Sequence, residues 1–286
     1  METSIDNQPQ SQHAETNDQP LPIISVRDVT VGFGGRAPVL DNLSLDIYKG
    51  EVLGFIGPSG AGKSVLMRTI LGLNKKQSGQ IEILGNNIDK MTDVEKMAID
   101  MCMGVLFQHG ALFSALNVLE NIQVPMREYL DLSPKLMDEL ARLKIDLVGL
   151  KPDTAEKFPS ELSGGMIKRA ALARSLALDP DIVFLDEPTS GLDPIGAADF
   201  DELIANLRDT MGLTVYMVTH DLDSLFAICD RIAVLGNKKV LVSGSIEDML
   251  TVDDPWVKSY FRGKRARQID TSAPSRRRPG SRLQTG

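Results

Sequence analysis

Near the start of the chain, apolar and polar positions alternate. Ile24, Val26, Val29, Val31 and Phe33 form one set, and residues 39–47 form a second, with breaks at Gly34-Gly35 and Asp41-Asn42. A period of two sends successive side chains to opposite faces of a strand, so both stretches predict β-strands. Residues 51–56 form a short continuous apolar run, the pattern of a strand buried on both faces. Ile81 and Ile83 alternate with polar neighbours up to a turn at Gly85-Asn86-Asn87. From about residue 94 to 178 the period changes. Leu136, Leu140, Leu143 and Leu147 recur at helical spacing, which predicts an inserted α-helical subdomain. Strand signals return at residues 182–185 and 214–218, each after a helical segment. Residues 231–235 and 239–242 predict a terminal hairpin through Gly236-Asn237-Lys238. Strands alternating with helices predict a parallel sheet covered on both faces, an α/β fold.

The two ends of the chain break this pattern. Residues 1–21 are polar, rich in Asn, Gln and Asp, and contain no Lys or Arg. They predict a disordered tail, with one ordered domain over residues 22–262. Residues 263–286 predict a basic, disordered C-terminal tail. From Arg262 onward eight basic residues face only Asp270, although the whole chain carries −8. The preceding body is therefore strongly acidic and repels nucleic acid, so no nucleic-acid partner is expected. Arg276-Arg277-Arg278 could meet anionic lipid head groups, grip an acidic partner, or simply be solvated. No apolar run approaches the ~20 residues of a membrane-spanning helix. The N-terminus also lacks the apolar segment of a secretory leader. Cys102 and Cys229 lie far apart without CxxC spacing. That points to a reducing compartment, the cytoplasm, and away from a structural zinc site.

The candidate chemistry begins after the strand at residues 51–56. Gly57-Pro58-Ser59-Gly60-Ala61-Gly62-Lys63-Ser64 fits GxxxxGK[ST] between a strand and a helix that Gly72 can end. Glycines let the backbone aim its N–H groups at phosphate oxygens, and the helix start adds partial positive charge. Lys63 then reaches the β- and γ-phosphates, and Ser64 is a ligand for Mg²⁺. The run at residues 182–185 delivers Asp186 and Glu187 to the carboxyl end of a buried strand, where α/β ligand sites lie. Adjacent strand residues point to opposite sides, so the two acids suit different tasks. Asp186 suits the Mg²⁺ shell and Glu187 suits polarising water.

Glu161-Leu162-Ser163-Gly164-Gly165-Met166, just before that strand, resembles the signature of the ATP-binding-cassette (ABC) ATPases. Gln108, after the strand at residues 105–107, resembles the family's Q-loop glutamine. Ser190-Gly191-Leu192-Asp193 resembles the D-loop, and His220 after Val218-Thr219 resembles the switch histidine. The resemblance spans about residues 22–262. It implies a RecA-like P-loop NTPase core with an antiparallel β subdomain and an inserted α-helical subdomain. It also implies ATP hydrolysis with Mg²⁺. Nucleotide contacts fall to Gly57, Pro58, Ser59, Gly60, Ala61, Gly62, Lys63, Ser64 and Val65, with Phe33 stacking on adenine. Asp193 and the Ser163, Gly164 and Gly165 helix start contribute from a second copy in a head-to-tail dimer. A Ser hydroxyl and bare Gly amides at a helix start make a second anion site, although a lone Ser-Gly-Gly is equally a helix cap with a hinge. Metal contacts fall to Ser64, Gln108 and Asp186, and catalytic roles to Glu187, His220, Lys63 and Gln108.

Met166 departs from the family, where a Gln is usual. Together with Phe107-Gln108-His109-Gly110-Ala111-Leu112-Phe113, Lys168-Arg169-Ala170-Ala171-Leu172-Ala173-Arg174 and Asp193-Pro194-Ile195, it is similar to the Mla-type subgroup. That likeness implies phospholipid as cargo, an integral membrane permease, an MCE-domain lipid-binding protein and a small STAS-domain protein. It places the chain peripherally at the cytoplasmic face of the inner membrane. Ala111, Leu112, Phe113, Ala115 and Leu116 form either a permease-docking surface or a piece of core. The alternatives are another ABC transporter, such as an amino-acid importer, and a soluble ABC ATPase acting on DNA or ribosomes. Only 99 residues separate Lys63 from Leu162, too few for the long coiled coils of DNA-repair relatives. The chain also has a single cassette, where translation-type relatives usually have two.

Overall fold

The computed structural model describes residues 21–262 and the short strand Gln284–Thr285. The tail readings for residues 1–20 and most of 263–286 lie outside the described residues. The chain opens with β1 (Pro22–Val31) and β2 (Leu40–Tyr48), an antiparallel pair. Next come β3 (Val52–Ile56), α1 (Lys63–Ile70), β4 (Ser78–Ile83) and the two-residue β5 (Asn86–Asn87). The middle holds α2 (Asp93–Met101), β6 (Met103–Leu106), α3 (Val118–Tyr129), α4 (Pro134–Leu147) and α5 (Gly164–Ser175). Then follow β7 (Ile182–Asp186), α6 (Pro194–Met211), β8 (Thr214–Val218), α7 (Leu222–Ile228) and β9 (Arg231–Gly236). Last are β10 (Lys239–Gly244), α8 (Ile246–Thr251), α9 (Pro255–Arg262) and β11 (Gln284–Thr285).

The strands form two sheets. One is antiparallel, in the order β2-β1-β4-β5. The other runs β11-β10-β9-β3-β8-β7-β6, with the five strands from β9 to β6 parallel and the β10 edge antiparallel. The central strands are apolar along most of their length because both faces are covered. In β7, Ile182 and Phe184 face the antiparallel sheet and α1, whereas Val183 and Leu185 face α3, α5 and α6. In β8, Tyr216 and Val218 join the first set, and Val215 and Met217 join the second. Phe55, Tyr216 and Phe184 form a file of rings at 5.5 and 5.7 Å. Each such ring withdraws roughly 1.5–3 kcal/mol worth of apolar surface from water.

A buried guanidinium joins the two sheets. Arg231 on β9 donates from Nε and Nη2 to both oxygens of Glu51, at 3.0 and 2.7 Å, and from Nη1 to Ser243 Oγ at 2.7 Å. It also donates to the Asp46 carbonyl on β2 and lies 4.8 Å from the Tyr48 ring centroid. Paired and stacked in this way, the charge is not left bare in the core.

Several expectations need correction. The helical insert is narrower than residues 94–178. The strand expected at 105–107 is there as β6, which pairs with β7 at the edge of the central sheet, and α2 belongs with the other core through Ile99. The helical insert proper is α3, α4 and the short turns before α5. Within α4, which falls where the leucine spacing predicts a helix, Leu140 and Leu147 pack at the margin of the core and the other two leucines turn outward. Leu136 and Leu143 are 42% and 58% exposed, while Met137, Ala141, Lys144 and Ile145 are buried. Lys144 can turn inward because Asp179 meets its ammonium at 2.5 Å. Finally, Gln284–Thr285 pair with β10, a strand where only irregular chain was expected.

Candidate functional site: a phosphate loop facing two carboxylates

The loop between β3 and α1 is shaped by close approach. A Cβ on Gly57 would sit 2.4 Å from the Leu235 carbonyl oxygen. Gly62 has φ +112, and a Cβ there would lie 2.9 Å from both Leu40 and Val39 side chains. Only glycine tolerates both demands. Gly62 is the N-cap of α1, which has no side-chain cap and no acid in its first turn. The helix therefore starts with free amides and an unopposed dipole, a ready anion site. Lys63 Nζ donates to the carbonyls of Gly57 and Pro58 at 2.9 and 3.2 Å. Burial lowers the pKa of this ammonium, and the carboxylates of Glu187 and Asp186 act in the opposite direction.

The carboxyl ends of β7 and β8 face this loop. Ser64 Oγ donates to Asp186 Oδ1 at 3.2 Å. Glu187 turns into the left-handed region, with φ +50, and its N–H donates to the Val218 carbonyl at 2.8 Å. The turn brings Glu187 Oε2 within 2.6 Å of His220 Nδ1. The Glu187 side chain is 15% exposed and that of His220 is 71% exposed. The His220 carbonyl accepts from Tyr260 Oη on α9 at 2.8 Å. Two hard oxygen donors, Ser64 Oγ and Asp186 Oδ1, thus lie side by side at the open end of the loop. This set suits Mg²⁺, which is held by one or two protein oxygens plus substrate phosphates and water. No cluster of three His, Cys, Asp or Glu residues with metal-binding spacing occurs among the described residues.

The remaining sequence candidates are placed as follows. Gln108 is exposed at the end of β6, and its carbonyl accepts from Lys168 Nζ, which also donates to the Glu187 carbonyl at 3.0 Å. Phe33 is 48% exposed beyond β1. Ser163 is exposed at the start of α5, and its hydroxyl accepts from the Met166 N–H at 3.3 Å. Among the described residues no hydrogen bond joins Ser163, Gly164 or Gly165 to the phosphate loop. Asp193 spends its carboxylate capping α6, accepting from the Ile195 and Gly196 amides at 3.1 and 3.0 Å. The 111–116 segment is not core. Phe113 is 53% exposed, and buried Asn121 holds it by accepting from the Phe113 N–H and donating to the Phe113 and Leu116 carbonyls. Sequence reasoning missed Tyr260 and gave Lys168 no role beyond its place in a subgroup-like run. Tyr260 carries only an aromatic pair at helical spacing with Trp256. Lys168 reads as an ordinary helix lysine until its inward direction is seen.

Known proteins bear the same stamp. Residues 40–190, just over half of the chain, match the ABC transporter family. The chain is 38% identical over 241 residues to the intermembrane phospholipid transport system ATP-binding protein MlaF of Escherichia coli K12, covering 84% of this chain and 89% of that one. It is 39% identical over 249 residues to the probable ribonucleotide transport ATP-binding protein mkl of Mycobacterium leprae, covering 87% and 71%. Among solved structures, the dimeric ATP-binding cassette MJ0796 in a post-hydrolysis state with ADP and Pi aligns with TM-score 0.71 and 30% identity, over 78% of this chain and 98% of that one. With its phosphate loop, paired carboxylates and signature helix on this fold, the chain belongs to the ATP-binding subunits of the ABC transporter family and is an ATPase.

Proposed function

We propose that this ATPase drives phospholipid movement between membranes, as one of two copies docked on an integral permease at the cytoplasmic face of the inner membrane. An MCE-domain lipid-binding protein and a small STAS-domain protein complete the proposed assembly. The cargo reading is supported by the phospholipid-transport relatives of Escherichia coli and Haemophilus influenzae, 38% and 37% identical over most of the chain. No described helix is long and apolar enough to cross a membrane, which suits a subunit held by membrane partners. The exposed Phe113 segment beside Gln108 is the proposed docking surface.

The catalytic reading is carried by one observation, the 2.6 Å contact between His220 Nδ1 and Glu187 Oε2 beside the Ser64–Asp186 pair. Free amides at the start of α1 bind the phosphates of ATP, and Phe33 stacks on the base. Lys63 exchanges the Gly57 and Pro58 carbonyls for phosphate oxygens. Glu187 orients water and takes its proton, while His220 holds that carboxylate and faces the γ-phosphoryl group. Mg²⁺, held by Ser64 and Asp186 with Gln108 nearby, supplies charge neutralisation when bound. Ser163, Gly164 and Gly165 of a second copy close the site, and Asp193 shapes the turn leading into that contact.

The mkl relatives, named for ribonucleotide transport, support a second cargo reading. ATPase turnover of the complex that copurifies from detergent-solubilised membranes separates the two. Stimulation by added phospholipid and not by ribonucleotide is the expected result. Stimulation by ribonucleotide alone overturns the lipid reading.

A further inference from the structure

Lys168 is a charged residue that is only 5% exposed. It lies one turn inside α5, whose first residues are the signature glycines and whose cap is Ser163. Ser163 and Gly164 face outward. The Lys168 ammonium points the other way. It donates to the Gln108 carbonyl and, at 3.0 Å, to the Glu187 carbonyl. Burial lowers its pKa, with Glu187 and Asp186 acting in the opposite direction.

The Glu187 carbonyl is a telling acceptor. Glu187 adopts φ +50, a conformation unfavourable for a residue with a side chain. Its N–H is fixed by the Val218 carbonyl, and its C=O accepts from the Ser190 N–H at 3.2 Å and from Lys168, the only one of these partners that carries a charge. One rigid helix therefore presents its N-terminus to the outside and, a turn later, clamps the backbone that aims the carboxylate. Gln108 is tied to the same ammonium. A shift of α5 along its axis must stretch both bonds, whose charged donor makes them strong.

We propose that Lys168 is a positioning residue that couples the two nucleotide sites of a dimer. Engagement of Ser163 and its glycines with the opposite copy's nucleotide seats α5. Lys168 then sets Glu187 and Gln108 in its own copy. The inference rests on the reading of Glu187 as the water-polarising carboxylate and of the signature helix as a contact between copies.

The test uses the full-length chain assembled with the membrane proteins that copurify with it. Lys168→Met removes the ammonium and with it both hydrogen bonds, and Lys168→Gln keeps a neutral donor; nucleotide affinity is read with a fluorescent ATP analogue. For Lys168→Met the expected result is turnover at least ~10-fold lower, ATP affinity within ~3-fold of wild type, and a flattened dependence of rate on ATP concentration. Lys168→Gln is expected to recover much of the lost turnover. Wild-type turnover in Lys168→Met overturns the proposal. So does an equal collapse of turnover and nucleotide affinity in both variants, because that is what a merely structural lysine gives. Glu187→Gln, run in parallel, separates the two readings. If it turns over ATP at the wild-type rate, the assignment of the site has failed. If it is inactive while Lys168→Met is normal, only the coupling has failed.

Discussion

Two helix starts in this molecule carry glycines and free amides, and they are finished differently. Gly62, at the start of α1, offers no side chain to the first turn, and the nearest ammonium, Lys63, folds back onto loop carbonyls. Ser163, at the start of α5, caps its own helix through the Met166 amide. The first start is wedged against Leu40 and Val39, whereas the second stands in solvent. The uncapped start leaves donors unsatisfied until an anion arrives. The capped start has its Met166 amide satisfied and keeps only the Gly164 and Gly165 amides open. A single chain thus holds one site ready for phosphate and one surface that is stable alone and available to another molecule.

Changes at the first region should dominate chemistry and binding. Glu187→Gln is expected to lower turnover by ~10²–10⁴-fold, the range for losing a general base, and to lengthen the ATP-bound dimer's lifetime. Steady-state hydrolysis and size-exclusion chromatography with ATP read both effects. Lys63→Ala removes a charged donor worth ~1.5–3 kcal/mol, so nucleotide affinity should fall about tenfold to a hundredfold. Titration of a fluorescent ATP analogue measures this, and unchanged affinity would sink the assignment of the phosphate loop. Gly62→Ala puts a methyl group where φ is +112 and two side chains crowd within 2.9 Å. Denaturant unfolding should show a cost of ~1–3 kcal/mol, with ATP affinity falling alongside. Ser163→Ala is the smallest expected change. It should cost about 1 kcal/mol of stability through loss of the cap, with Ser163→Gly costing only a few tenths. Binding of ATP to the isolated chain should not move in either. A clear loss of affinity there would erase the distinction between the two helix starts.

Much of this architecture is legible in the sequence, because buried parallel strands and a phosphate loop are written locally. β3, β7 and β8 are continuous apolar runs, and the loop's spacing follows from backbone geometry alone. The leucines of α4 gave the helix but not its buried face, because periodicity marks a stripe and not which neighbouring stripe packs. Lys144, a poor core candidate by composition, is buried only because Asp179, 35 positions away, supplies its counter-charge. The same limit hid Lys168. Its motif is readable, but its direction depends on where β6 and β7 end. The capping duty of Asp193 was likewise invisible behind its place in a recognisable turn.

The guanidinium that joins the two sheets has a consequence for how a nucleotide is gauged. Phe33 lies just beyond β1 of one sheet, and the phosphate loop leaves β3 of the other. Arg231, through Glu51, Ser243 and the Asp46 carbonyl, prevents these two parts from sliding past each other. On the proposed reading, with Phe33 on the base and the loop on the phosphates, the two ends of ATP would meet contacts held at a constant spacing. In the proposed dimer, opening and closing would then fall to whole subunits or to the helical insert, with the gap between wall and floor held by Arg231.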